Sequence, residues 1–354
     1  MVSRGDLSMH RSHRALLLCL CILAGVIPAC TPQNAENTII EDPWGVIEIE
    51  RGEPIRLGVG VPLSDTSLAS QGVDQLRGAE LAVEQAPAPY GFPVELTTED
   101  TRCTTNGGVE AAEAFVTDQR IIAIVGHSCS ASCEAASRIY EQAHYTMVSP
   151  ACTASALTSE EVHLGTFTRV IYDDKYLGLT AANFAYDELG ARRAALIHDD
   201  TLDGAGLAIA FALAFQTRGG EISSTQQITS GERNMRPVLI PIAQRDEADI
   251  IFAPVQTAEA VLLATQRAGA GAAGIPLLGA SSFWNSYFIA EAGYAGEGVY
   301  AIGPLILSDR YDSFLESYMR TYGESPSGPY HAHTYDAVNV ILRAVSAVGV
   351  VGRD

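Results

Sequence analysis

The sequence IIAIVGHSCS at residues 121–130 indicates the fold class, because a run of aliphatic residues stops at a glycine and a small polar turn follows. Apolar residues then return at three- and four-residue spacing over residues 130–142, which predicts a helix. The sequence TMVSPACTA at residues 146–154 repeats the strand and the turn. Strand, helix and strand in this order predict a parallel sheet, whose ligands bind beyond the carboxyl ends of the strands. Both turns should therefore face one cleft.

The same alternation continues on both sides of this stretch and predicts two doubly wound α/β units, one after the other. The predicted strands span residues 55–61, 94–99, 121–126, 146–149, 194–198, 221–227, 250–253 and 276–278. The predicted helices span residues 72–85, 107–117, 130–142, 204–218, 236–245 and 258–268.

Length and composition fit a two-unit globular chain. The 354 residues exceed what one core usually supports, since domains typically have about 100–150 residues. A content of 47% hydrophobic and 18% charged residues argues against wholesale disorder. The net charge of -20 argues against nucleic acid or an anionic membrane surface as the main partner.

The N-terminal segment has the pattern of an export signal. Three arginines precede an apolar run at residues 15–27, which is too short to span a bilayer. The run ends in IPAC, which resembles a bacterial lipobox, so we expect residues 1–29 to be a signal peptide and Cys30 to receive lipid. The alternative is ordinary secretory cleavage, which leaves Cys30 a free thiol. Residues 30–53 are polar and predict a tether.

Four cysteines remain once the signal peptide and Cys30 are set aside: Cys103, Cys129, Cys133 and Cys152. An even number in an exported protein indicates two disulfides, and three pairings are formally open. Zinc binding is an alternative, but the close two-residue spacing of a zinc knuckle does not occur twice.

The turn before the predicted helix at residues 130–142 is a candidate anion site. We expect Ser130 to be the N-cap, where free backbone N–H groups and the helix dipole favour a carboxylate or phosphate. Capping alone is the simpler interpretation of a serine at this position.

These two turns, with the segment TEDTRC at residues 98–103, resemble the first lobe of bacterial branched-chain amino acid (leucine/isoleucine/valine) binding proteins of ABC transporters. The resemblance covers roughly residues 55–348 and is strongest over 103–158. It implies the type I periplasmic binding fold, in which two Rossmann-like lobes close about a hinge. Residues 54–172 with 303–354 would form lobe 1, and residues 173–302 would form lobe 2.

The resemblance also implies roles for individual residues. Cys103 and Cys129 match a disulfide of the family, and Cys133 and Cys152 are additional cysteines on adjacent turns, which we expect to pair with each other. The positions that hold the ligand's α-carboxylate are matched by Ser130, Ala151 and Thr153. Arg169 and Asp174 match the first crossing between lobes, where Asp174 corresponds to an acidic position that faces the cleft.

Other positions depart from the family pattern. Gln71, Asp203 and Gln256 stand where the family often has aromatic residues, and Ser281 stands where an acidic residue receives the ligand's ammonium. The carboxylate half of the site is thus present, while the ammonium half is altered. Either Asp174, Asp200 or Asp203 binds the ammonium, since a buried cation needs a partner, or the ligand lacks one. The adjacent aromatics Phe283 and Trp284 would either line the cleft or pack in the core.

The predicted function is an exported, monomeric solute-binding lipoprotein that captures a small carboxylate-bearing ligand for an ABC permease. No enzymatic activity, cofactor or metal is expected. Two alternative functions remain. The first is a sensor, or an activator of cell-wall enzymes, with the same fold, and the second is a hydrolase. The hydrolase rests on a faint nucleophile-elbow pattern at residues 126–130, where serine replaces the last glycine.

Two further expectations concern histidines and the end of the chain. The clusters at residues 198–200 and 331–333 have spacings that metal ligands sometimes show, although solvated turns are the commoner explanation. Family members normally continue beyond the helix that ends near Val348, so we expect elements that return to the second lobe to be missing.

Overall fold

The structure, a computed structural model, describes residues 42, 44–245, 247–306 and 308–349. Its first half alternates strands with helices, as the sequence predicts. In chain order these elements are β1 (Ile55–Val61), α1 (Ala69–Gln85), β2 (Val94–Asp100), α2 (Thr105–Thr117), β3 (Ile121–Gly126), α3 (Ser130–Ala143), β4 (Thr146–Ser149) and β5 (Phe167–Arg169).

The second half repeats the alternation and ends in three helices, with one short strand before the last two. Its elements are α4 (Asp174–Asn183), β6 (Arg193–His198), α5 (Leu202–Thr217), β7 (Glu221–Gln227), α6 (Arg236–Arg245), β8 (Ile250–Ala253), α7 (Thr257–Gln266), β9 (Leu277–Gly279), α8 (Ser286–Ala292), β10 (Val299–Ala301), α9 (Tyr311–Tyr322) and α10 (His331–Val348). Helix α4 continues into a short π-helix at Phe184–Glu188.

The strands form two separate parallel sheets, in the orders β2-β1-β3-β4-β5 and β10-β9-β8-β6-β7. The predicted fold class of two doubly wound α/β units is therefore confirmed. We call each sheet with the helices packed on it a lobe. The predicted residue boundaries of the two lobes stay a prediction.

The central strands of both sheets are buried on both faces, which explains their continuous apolar runs, whereas the edge strands β2 and β7 are polar and partly exposed. In the first lobe, Leu57 and Val59 pack with α1 and α10 on one face, and Ile124 packs with α2 and α3 on the other. In the second lobe, Ile251 packs against α6 and α7, and Phe252 packs against α4 and α5.

Two disulfides lie in the first lobe. One joins Cys103 to Cys129 and the other joins Cys133 to Cys152, with Cα–Cα separations of 5.3 and 6.5 Å. The second bond links the first turn of α3 to the turn that follows β4. It therefore holds together the two turns that the sequence analysis assigned to the ligand.

The predicted signal peptide, the lipidation of Cys30 and most of the tether lie outside the described residues. Within the described residues, no helix is both long enough and apolar enough to cross a bilayer.

Candidate functional site

A cleft lies between the carboxyl ends of the two sheets, where ligands of doubly wound sheets bind. It holds about 800 Å³ of space unfilled by protein, part of which opens to solvent. Its walls include seven of the eight residues that the sequence assigned to the ligand: Gln71, Ala151, Thr153, Asp174, Asp203, Gln256 and Ser281.

Ser130 is the exception, and its expected role as N-cap is wrong. Helix α3 begins at Ser130, so Cys129 occupies the cap position, and it makes no side-chain cap hydrogen bond. The Ser130 side chain is fully buried, and its hydroxyl accepts a hydrogen bond from the Ala154 N–H at 3.0 Å. The hydroxyl oxygen therefore ties α3 to the turn after β4, while the backbone N–H and the hydroxyl proton of Ser130 remain as donors for an anion.

That N–H donates to the carboxylate of Asp203 across the cleft, at 3.2 Å. Asp203 lies in the first turn of α5, a helix capped by the Thr201 hydroxyl, which accepts from the Gly204 N–H at 3.0 Å. Burial raises the pKa of Asp203, and its hydrogen bonds with Ser130 oppose that rise. A side-chain carboxylate from the second lobe thus occupies the helix N-terminus predicted for a ligand carboxylate.

Asp174 is the least satisfied polar group of the cleft. Its side chain is only 1% exposed, and neither carboxylate oxygen has a hydrogen-bond partner among the described residues. Burial, followed by the negative charge of Asp203, raises the pKa of Asp174 to about 7. Its backbone N–H donates to the carbonyl of Thr153 at 2.9 Å, so it lies directly beside the turn after β4.

Ser149 shapes that turn, and the sequence analysis did not identify it. Its buried hydroxyl donates to the His127 carbonyl at 2.8 Å and accepts from the Cys152 N–H at 3.0 Å. One hydroxyl thereby fixes the turn after β3 and the turn after β4 relative to each other. Its position at the last residue of a buried strand was the available signal.

Asp199 has the same function in the second lobe. One of its carboxylate oxygens accepts from the N–H of Thr201 at 3.1 Å, and the other accepts from the N–H of Gln256 at 2.8 Å. The Thr201 hydroxyl donates to it as well. Asp199 therefore joins the turns after β6 and β8, and its charge is compensated by three donors.

Tyr330 is a further cleft residue that the sequence analysis missed. Its hydroxyl donates to the Ser281 hydroxyl at 2.8 Å, and burial raises its pKa to about 12. The residue has a φ of 81°, which is unusual for a side chain of this size and places the ring at the start of α10. No local sequence pattern signals this conformation.

The structure also places three other residues that the sequence left open. Asp200 does not line the cleft, and its carboxylate instead accepts from the N–H and hydroxyl of Ser230 at 2.9 and 2.7 Å. Phe283 belongs to the core of the second lobe. Trp284 lies against the backbone of Gly303, with 45% of its surface exposed, and does not line the cleft.

The faint hydrolase pattern lacks the required geometry. The Ser128 hydroxyl donates to the Gln75 side chain at 2.7 Å, and Cys129 is in a disulfide. The ring nitrogens of His127 face Ser132 and Tyr140 at 2.6 and 2.9 Å. The one histidine in this segment is therefore not placed to activate a nucleophile.

In the histidine clusters, His198 and His331 are likewise engaged in structural contacts, whereas the buried Nδ1 atom of His333 has no hydrogen-bond partner among the described residues. The Nδ1 atom of His198 faces the Asp199 carbonyl at 2.8 Å, and His331 contacts the Gly328 carbonyl and the Tyr311 hydroxyl at 2.8 and 3.0 Å. Within the part of the chain that the structure describes, no group of three potential metal-ligating side chains occurs.

Comparisons with known proteins agree with this architecture. A family model described as Periplasmic binding protein matches residues 54–354. The leucine-, isoleucine-, valine-, threonine- and alanine-binding protein of Pseudomonas aeruginosa is 26% identical over 302 residues, 84% of this chain and 79% of that protein. The crystal structure of a leucine-binding protein from Thermotoga maritima matches with a TM-score of 0.75 and 26% identity, over 83% of each chain. An ABC transporter substrate-binding protein from Desulfitobacterium hafniense in complex with Leu matches with a TM-score of 0.69 and 26% identity, over 83% of this chain and 84% of that one.

Proposed function

Since the chain belongs to the periplasmic binding protein family, we propose that it captures a small carboxylate-bearing ligand, such as an amino acid, between its two lobes. The captured ligand is delivered to an ABC permease. Members of the family are extracytoplasmic solute-binding proteins rather than enzymes, and similar proteins carry names that specify amino acid ligands.

The observation that carries this proposal is the contact between the Ser130 N–H and a carboxylate oxygen of Asp203. A helix N-terminus favours anions because its first N–H groups lack intrahelical partners and the dipole is positive there. The contact with the Asp203 carboxylate supports the proposal that a ligand carboxylate binds the same N–H group. Thr153 and Ala151 line the cleft on the adjacent turn and complete the site on the first lobe.

Location follows from the sequence of the N-terminal segment. We propose that residues 1–29 are a cleaved signal peptide and that lipid on Cys30 holds the protein at a membrane, with residues 30–53 as tether. The lobes then act as a monomer outside the cytoplasm. A mass measurement of the mature N-terminus tests this: an unmodified Cys30 would contradict the lipid anchor.

A matched pair of variants tests the carboxylate site. Ser130→Ala and Ser130→Pro both lack the hydroxyl, but only the proline variant lacks the N–H. Ser130 is the first residue of α3, where proline is tolerated, and the extended backbone of Cys129 suits a following proline. We expect the proline variant to bind an amino acid about 10- to 100-fold more weakly than the alanine variant, because a hydrogen bond to a charged group contributes roughly 1.5–3 kcal/mol.

The measurement is titration calorimetry with a panel of L-amino acids, on variants whose circular dichroism matches the parent. Equal affinities in the two variants would show that the N–H does not hold the ligand. If the parent binds no member of the panel, the proposed function itself is refuted.

A further inference from the structure

The charge of the cleft is one-sided. Among the described residues that line it, three are acidic, namely Asp174, Asp199 and Asp203, and none is Lys, Arg or His. A cleft with walls of one sign favours ligands of the opposite sign, because the field is concentrated where solvent is displaced. A carboxylate-bearing ligand enters this cleft only if its other groups offset the repulsion.

The three carboxylates differ in how well the protein compensates them. Asp199 receives two backbone N–H groups and one hydroxyl. Asp174 receives none from the described residues, although it is 1% exposed. A buried acceptor without partners is costly, and such a group facing a cleft is suited to an incoming donor.

Asp203 becomes the second uncompensated carboxylate when a ligand binds. Its contact is the Ser130 N–H, which is also the donor that the proposed function assigns to the ligand carboxylate. The two carboxylates compete for this donor, so the ligand must displace Asp203. A cationic group on the ligand would satisfy Asp203 after its displacement.

We propose that the ligand is an amino acid with two cationic groups, such as a basic α-amino acid, and that Asp174 and Asp203 bind its two ammonium groups. This inference rests on the proposed function. Asp174 lies beside the Thr153 turn and is placed for the α-ammonium, which is adjacent to the carboxylate in any α-amino acid. Asp203 then binds the side-chain cation. In the family, an acidic residue at the position of Ser281 binds the ligand's ammonium. Here Asp174 and Asp203 supply the acidic groups instead.

Charge counting supports this ligand class. A neutral amino acid adds one carboxylate and one ammonium, so the ligand and the two aspartates carry three negative charges and one positive when Asp174 is ionised, and two negative and one positive when Asp174 keeps its proton below about pH 7. A basic amino acid adds a second positive charge and reduces the excess of negative charge by one in either case. Opposite charges that are brought together in a desolvated site can be strongly coupled, so the second ammonium should have a large effect on affinity.

L-Ornithine and L-norleucine test the proposal, because they differ only in an ammonium group that replaces a terminal methyl group. We expect calorimetry to give an affinity about 10- to 100-fold higher for ornithine. Asp203→Asn should remove most of this preference, and Asp174→Asn should weaken the binding of both ligands. Asp200→Asn is the matched control, since Asp200 is three residues away in sequence but bonds to Ser230 outside the cleft.

The outcomes separate this inference from the proposed function. Norleucine binding as tightly as ornithine would overturn the cationic ligand class and leave amino acid capture intact. An ornithine preference that persists in Asp203→Asn would overturn the assignment of the second ammonium to Asp203. If neither compound nor any other amino acid binds the folded parent, the proposed function is refuted and the inference fails with it.

Discussion

Replacing Asp174 with asparagine should make the ligand-free protein more stable, and increasingly so as the pH rises. Asp174 is buried without a hydrogen-bond partner among the described residues, and its pKa is raised from 3.8 to about 7. Its charged form is therefore disfavoured in the fold, by burial first and then by the charge of Asp203. Asparagine retains the shape and removes the charge.

The sign of the effect follows from proton binding. Between pH 3.8 and about 7, the folded chain keeps a proton on Asp174 that the unfolded chain has lost. Linkage then makes the free energy of unfolding fall as the pH rises through this window, and the fall ends above the folded pKa. Each pKa unit corresponds to about 1.4 kcal/mol. Between pH 5 and pH 8 the free energy of unfolding of the parent should therefore fall by about 3 kcal/mol, and that of Asp174→Asn should not show this fall.

Urea denaturation of both proteins at pH 5 and pH 8 measures this difference. The free energy of unfolding of the variant minus that of the parent should be about 3 kcal/mol larger at pH 8 than at pH 5. The difference is used because the contributions of other titrating groups largely cancel in the subtraction. Asp200→Asn is the control without a pH slope: hydrogen bonds from Ser230 lower the pKa of Asp200 below 3.8, so its carboxylate is ionised in the folded and unfolded chains at both pH values, and its loss should destabilise the protein equally at pH 5 and pH 8. A difference for Asp174→Asn that is independent of pH would refute the reasoning.

Two further predictions concern the lobes themselves. Replacing both Cys133 and Cys152 with serine should lower stability by about 3 kcal/mol in thermal or urea unfolding, because the bond closes a loop with a sequence separation of 19; unchanged stability would contradict a structural role. Phe211 is fully buried and stacks on Phe252 with ring centroids 4.2 Å apart, so Phe211→Ala should cost about 3–5 kcal/mol. Ile209→Ala, at a position 62% exposed on the same helix, should change stability by less than about 0.5 kcal/mol, and similar losses in both variants would argue against this packing.

The sequence predicts the central strands β1, β3, β6 and β8 well because each is a largely apolar run that is buried on both faces. It does not reveal β5 and β10, which have three residues each. Such short strands are defined by their neighbours: β5 exists because Met147, Val148 and Ser149 of β4 pair with it. Helix α4 begins beside the site at Asp174, but its weakly periodic sequence gives little helical signal.

The site is predictable as a set of turns but not as a set of contacts. Parallel topology places Thr153 at the carboxyl end of one sheet and Gln256 and Ser281 at the carboxyl end of the other. That the two ends share one cleft is implied by the family resemblance, not by the order of the strands. The contact of Ser130 with Asp203 joins residues 73 positions apart, and no local pattern specifies it. The positive φ of Tyr330 is similarly set by tertiary packing rather than by the residue's own preference.

Asp203 gives the cleft a specific way to couple ligand binding to closure. Its carboxylate accepts from the Ser130 N–H and connects the two lobes directly. A ligand carboxylate that takes this N–H breaks the direct contact, which by itself would favour separation of the lobes. A ligand shifts the equilibrium toward the closed form only if it binds that form more tightly, so it must restore a connection to Asp203. A basic amino acid, the proposed ligand class, does so, because its carboxylate contacts one lobe and its side-chain ammonium contacts the other. A neutral amino acid breaks the contact without replacing it.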